Sequence, residues 1–129
     1  METRQNKKEF EKMIAGFDNE IQKLALATRA FILEIIPKCY EVVWSKQKVV
    51  GYGTGIKKKT EHFANICVYK NKVNLGFTYG SELPDVEKLL SGTGKLYRHV
   101  TISSLSDLKN TSLRKLMEIA IKYRVPKLQ

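Results

Sequence analysis

The sequence predicts a two-layer α+β domain, a mostly antiparallel β-sheet packed on N-terminal and C-terminal helices. Three observations carry this. Apolar residues recur at helical spacing near both ends, at Leu24, Ala25, Thr28, Phe31, Ile32 and Ile35 and again at Leu113, Leu116, Met117, Ala120 and Ile121, so each segment has one face to bury. Between Pro37 and Ile102 the chain turns to Val, Ile and aromatic residues broken by Gly and Asn turns, the composition of short strands. Most of those connections are too tight for crossover helices, which makes neighbouring strands antiparallel. A length of 129 residues, with no linker, repeat or low-complexity stretch, makes residues 1–129 a single domain.

The elements follow in order. Phe10, Met13 and Ile14 predict a short helix over Lys7 to Ala15, ended by Gly16. Asp18 is the candidate N-cap of the long helix from Ile21, which Pro37 stops. Glu41 to Ser45 and Lys48 to Tyr52 are paired strands, and Gly51, Gly53 and Gly55 lead into an exposed tip at Lys57 to Lys59. His62 to Lys70 carries apolar residues on both faces, which predicts a central strand with helices on one side and a partly lined surface on the other. Lys70-Asn71-Lys72 is a tight turn with Asn71 in the role that tolerates positive φ, and Val73, Leu75 and Phe77 return on the core side. Leu83-Pro84-Asp85 is expected to open a short helix carrying Val86, Leu89 and Leu90, closed by Ser91-Gly92-Thr93-Gly94. Tyr97 to Ile102 is the last strand, and Leu105 and Leu108 form a single helical turn. The closing helix is capped by Asn110 or Thr111, and Pro126 marks its end.

Charge narrows the function classes. The net charge is +10, with 23 Lys and Arg against 13 Asp and Glu. Between Val42 and Gly80 stand Lys46, Lys48, Lys57, Lys58, Lys59, Lys70 and Lys72 against one acid, Glu61, a field that draws anions. The apolar run from Leu24 to Pro37 is interrupted by Thr28, Arg29 and Glu34, so no membrane span is expected. METRQNKKEFEK lacks the apolar region of a signal peptide, which places the chain in the cytoplasm. Cys39 and Cys67 have no paired spacing and are expected to be reduced, buried small hydrophobes.

Several chemistries lack their residues. His62 and His99 are the only histidines, no acid is spaced to join either, and the carboxylates are scattered singly, so no metal ligands are assigned. No GxSxG elbow occurs and no cysteine neighbours a histidine in sequence, so no catalytic residues are assigned and the expected function is non-enzymatic. Gly92-Thr93-Gly94-Lys95 is not a P-loop: Leu89 stands where that pattern needs Gly, and Leu96 where it needs Ser or Thr. Trp44, Tyr52, Tyr69 and Tyr79 lie among basic residues in the manner of a nucleic-acid surface, but no nucleic-acid-binding motif accompanies them.

Val73-Asn-Leu-Gly-Phe, Gly80, Leu83-Pro-Asp, Leu90, Gly92-Thr-Gly-Lys and Arg98-His-Val, with Pro37, Glu41 and the Trp44 region upstream, together resemble the YdhG-like family. The resemblance runs from about Ile21 to Ile121 and implies an α+β domain of unknown function. It also implies a rival role, because one member is regarded as a frataxin-like intracellular iron chaperone, for which iron would be the cofactor. Frataxin-like iron binding depends on an acidic ridge, whereas the sheet region here is basic, so the leading expectation is different. It is a domain without cofactor that binds a small anionic molecule in a basic, aromatic pocket on the sheet face. Arg98 would clamp the anion, Lys95 add charge, His99 serve as a switchable donor and Glu41 orient Arg98. Trp44, Tyr52 and Phe77 would form the walls. Arg98 and His99 alternate along their strand; if only one faces inward, Arg98 is taken as the binding residue and His99 as buried structure. A monomer or weak homodimer is expected, since edge lysines oppose strand pairing.

Overall fold

The computed structural model describes residues 4–129 and has the predicted α+β architecture. Five strands, β1 (Tyr40–Trp44), β2 (Val49–Gly53), β3 (His62–Val68), β4 (Val73–Phe77) and β5 (Arg98–Ile102), form one sheet in sequential order. Every neighbouring pair is antiparallel. The helices are α1 (Lys7–Ile14), α2 (Asn19–Ile35), α3 (Lys58–Glu61) and α4 (Thr111–Ala120).

Helix α2 is the keel. Ile21, Leu24, Ala25, Phe31 and Ile32 are buried along it and meet Val50, Ile66, Leu75, Phe77 and Ile102 of the sheet in one core. Phe10, Met13 and Ile14 of α1 and Leu113, Leu116 and Met117 of α4 join the same core. Each large apolar side chain so buried contributes roughly 1.5–3 kcal/mol. The helix stops at Ile35 and Ile36 leaves helical geometry (φ −137°), as the ring of Pro37 requires. The side chain of Asn110, rather than Thr111, caps α4, accepting from the backbone N–H groups of Ser112 (2.8 Å) and Leu113 (3.4 Å).

The alternation of strand residues puts Val50, Tyr52, Ile66, Leu75 and Phe77 on the helix-covered face, and Gly51, Asn65, Cys67, Gly76 and His99 on the other. Both outer strands are partly covered at their edges. The Glu41 N–H donates to the Arg4 carbonyl (2.7 Å), and His99 exchanges backbone bonds with Ser91 (2.8 and 3.0 Å). Cys39 and Cys67 are both free thiols; Cys39 is buried, and Cys67 is only half-buried on the uncovered face.

The expected helix after Leu83 does not form. Residues 83–90 run as turns, with Val86 86% exposed. The Asp85 carboxylate accepts from the N–H groups of Leu89 and Leu90 (both 2.8 Å), and Lys88 takes a left-handed φ of 54°. Asp85 thus offers the backbone a side-chain partner in place of a helical one, and Gly92 has no helix to cap. The left-handed residue expected at Asn71 falls instead in the β1–β2 hairpin, at Lys48 (φ 58°). Helix α3, unforeseen, is a single turn holding Lys58 and Lys59 in the exposed β2–β3 connection.

Candidate functional site

Gly51 of β2, Asn65 of β3 and Gly76 of β4 lie side by side across the uncovered face. The glycines are there because rings lie on them. A Cβ at Gly51 would sit 2.6 Å from the His62 ring and 2.8 Å from the Trp44 indole, and one at Gly76 would collide with the Tyr97 hydroxyl and the Asn65 side-chain oxygen. Glycine within a strand commonly marks such a close approach.

Around this row the chain builds a hollow of about 550 Å³. Trp44 and His62 meet along one side with ring centroids 5.8 Å apart, tilted by 50°. The ammonium of Lys58 lies 5.4 Å from the centre of the indole, within cation–π range. On the other side the Tyr97 hydroxyl donates to Asn65 Oδ1 (3.0 Å), with Cys67 Sγ 3.6 Å from the same oxygen. Arg124, held at a left-handed φ of 57° beyond α4, stacks 4.4 Å over Tyr79 and pairs with Glu82 (2.8 Å). Tyr123 donates to the same Glu82 oxygen (2.9 Å), and the two partners hold that carboxyl below its ordinary range. The charged side chains lining the hollow are Lys58, Lys59 and Arg124, all cations.

His62 is the unusual member. It lines the hollow yet is 3% exposed, and its Nε2 is buried without a hydrogen-bond partner among the described residues. Burial lowers its pKa and Lys58 adds to that effect, outweighing the Gly55 carbonyl and Glu61, which act in the opposite sense. The ring is therefore biased toward neutral imidazole, one of whose nitrogens has nothing to bond.

Of the residues expected at a pocket, only Trp44 lines this one. Tyr52 and Phe77 are fully buried in the core. Glu41 does not orient Arg98: it accepts from Arg29 Nε (2.8 Å) and Nη2 (3.1 Å), from the Tyr52 hydroxyl (2.6 Å) and from the Asn6 N–H (2.8 Å). Lys95 is exposed on the loop before β5. Arg98 and His99 face opposite sides, because β4 and β5 pair without a bulge. His99 shares the uncovered face with Gly76, while Arg98 shares the face of Phe77 and donates to the Gly94 carbonyl (3.1 and 2.9 Å). Neither of the two lines the hollow.

His62, Asn65, Tyr97 and Arg124 escaped the sequence reading of the site. The interior glycines at 51 and 76 were the one signal pointing to that stretch of sheet. Of the acids between residues 82 and 87, Glu82 is bonded to Arg124 and Tyr123, and Asp85 to backbone N–H groups. Among the described residues no three His, Cys, Asp or Glu side chains gather as metal ligands would, and no helix is long and apolar enough to cross a membrane. No protein-family model, curated protein or solved structure matches this chain.

Proposed function

We propose that this protein is a small, non-enzymatic, cytoplasmic binding domain that takes a small anionic molecule in the hollow on the uncovered sheet face. Membership of the YdhG-like family belongs to the same proposal and rests on the motifs from Val73 to Val100. One observation carries the binding reading: the charged side chains that line the cavity, Lys58, Lys59 and Arg124, are all cations. His62 Nε2, an acceptor while the neutral ring donates to the Gly55 carbonyl, would take a donor group of the ligand, and leaving such a buried atom unpaired costs about 1–3 kcal/mol. Lys58 and Lys59 supply the attraction for an anion; Arg124 is already balanced by Glu82.

The test is a thermal-unfolding titration with small phosphate esters and, under anaerobic conditions, with Fe²⁺. A ligand at a hundred times its Kd adds about 2.7 kcal/mol of stability, a shift of several degrees. Phosphate esters are expected to stabilise the protein, less so as salt rises. Lys58→Met/Lys59→Met should weaken binding at least about tenfold, the equivalent of 1.4 kcal/mol, whereas Arg98→Ala should leave it unchanged. Stabilisation by Fe²⁺ and not by phosphate esters would overturn the reading in favour of the iron-chaperone role.

A further inference from the structure

We infer that the ligand of this hollow is a nucleoside phosphate, a flat heteroaromatic ring carrying a phosphate group. The inference rests on the anion-binding reading and adds a ring to it. A bare phosphate needs cations and backbone donors only. This hollow offers much more, and its additional features are those that a nucleobase uses.

Size comes first. About 550 Å³ falls within the range of sites for whole organic ligands, roughly 300–1,000 Å³, and far exceeds what one phosphate fills. The walls come second. Trp44 and Tyr97 line the cavity from opposite sides of the Gly51–Asn65–Gly76 row, and aromatic faces are what bases stack on. Tyr97 is held by its bond to Asn65 and Trp44 by its contacts with His62 and Gly51, so neither ring must be ordered anew when a ligand enters.

The polar groups come third. Asn65 spends its carbonyl oxygen on Tyr97, while its Nδ2 has no protein partner among the described residues. His62 Nε2 is likewise unpaired. An amide donor and a neutral imidazole match the acceptors and donors along the edge of a base. Phosphate oxygens accept from the amide but offer no N–H to the imidazole, whereas the edge of a base carries both acceptors and donors. Lys58 joins the two halves, since its ammonium sits over the Trp44 indole at the exposed end of α3, next to Lys59. A base against Trp44 thereby places its phosphate within the field of both lysines.

The experiment is calorimetric titration of the full chain with adenosine 5′-monophosphate, uridine 5′-monophosphate, ribose 5-phosphate, adenosine and a short single-stranded oligoadenylate. The nucleotides are expected to bind at least about fivefold more tightly than ribose 5-phosphate, the low end of what stacking on an aromatic ring is worth. Trp44→Leu should bring the nucleotides down to the level of ribose 5-phosphate and leave ribose 5-phosphate itself unmoved. Tyr97→Leu, at a more exposed ring, should do the same if Trp44→Leu fails to fold. Equal affinity for ribose 5-phosphate and the nucleotides overturns this inference while the anion reading stands. Adenosine bound as tightly as its phosphate overturns the anion reading, and no binding by any of these ligands overturns both. Oligoadenylate bound more than about tenfold tighter than its monomer, with the steep salt dependence of a strand, overturns the mononucleotide in favour of a nucleic-acid surface.

Discussion

Replacing Glu41 with Gln tests the buried ion pair that ties α2 to β1. Glu41 lies on the edge strand β1, on the helix-covered face, with its side chain fully buried, and Arg29, its partner from α2, is 11% exposed. Four donor groups converge on the two carboxylate oxygens, at 2.6 to 3.1 Å. Burial works against the charged guanidinium, yet the bonds to Glu41 raise the pKa of Arg29 above its ordinary value. Burial, followed by the charge of Glu41, raises that of Tyr52, so both remain protonated donors. Gln keeps the shape but turns one acceptor oxygen into a donor, which leaves Arg29 charged, buried and unbalanced. Breaking one side of a buried pair costs about 3–5 kcal/mol, a large part of the roughly 5–15 kcal/mol that holds a domain together. With a urea dependence of about 1–3 kcal/mol per molar, the unfolding midpoint should fall by roughly 2 M, followed by circular dichroism. Arg29→Met/Glu41→Leu/Tyr52→Phe removes charges and hydroxyl together and should recover most of the loss, because an apolar replacement leaves no ion unpaired. A cost below about 1 kcal/mol for Glu41→Gln, the range of an exposed ion pair, would refute the claim that the network is dehydrated.

Two further outcomes follow from the site. Because the folded pKa of His62 is depressed, the unfolded chain binds the extra proton. The stability it contributes is complete above the unfolded value near 6.5 and is lost as pH falls toward the folded pKa, by at most about 1.4 kcal/mol per pH unit. Urea unfolding between pH 7.5 and 5 should show that slope, and His62→Asn should flatten it; parallel profiles would sink the assignment. Gly76→Ala should cost about 1–3 kcal/mol by forcing the Tyr97 hydroxyl off the sheet, and adding Tyr97→Leu should return part of it, both read from urea midpoints. A Gly76→Ala variant as stable as the parent would show that Tyr97 does not rest there.

The architecture was legible because its signals are periodic and local. The apolar positions of α2 and α4 and the alternation of β3 each mark a face without reference to the rest of the chain, and the structure buries those faces together. The segment after Leu83 was misread for an equally local reason: Pro84 and the spacing of Val86, Leu89 and Leu90 fit a helix, but the Asp85 carboxylate satisfies the same backbone donors without one. The hollow is not legible in the sequence because it depends on faces across strands. Arg98 and His99 are adjacent in sequence and opposed in space. Glu41 meets Arg29, a residue that in sequence only interrupts an apolar run. Arg124 comes to the hollow from beyond α4, more than sixty residues after the α3 lysines it joins there.

The basic stretch from Val42 to Gly80 also changes meaning once folded. It is not one field. Lys46 and Lys48 lie in the β1–β2 turn and Lys70 and Lys72 in the β3–β4 turn, neighbours at one end of the sheet, where the Val68 N–H donates to the Lys48 carbonyl (3.0 Å). Lys57, Lys58 and Lys59 lie in the β2–β3 connection at the opposite end. With a Debye length of about 8 Å at physiological salt, each group acts locally, and only Lys58 and Lys59 line the hollow. Lys72 instead covers the Tyr69 ring (5.3 Å) and Lys48 reaches the Met13 carbonyl (3.4 Å). Sheet-end lysines used in this way keep the turns soluble and the strand ends unpaired. Neutralising Lys46 and Lys70 should therefore leave ligand affinity and its salt dependence unchanged, whereas neutralising Lys58 and Lys59 should reduce both. Equal losses from the two pairs would mean that net charge, rather than the hollow, attracts the anion.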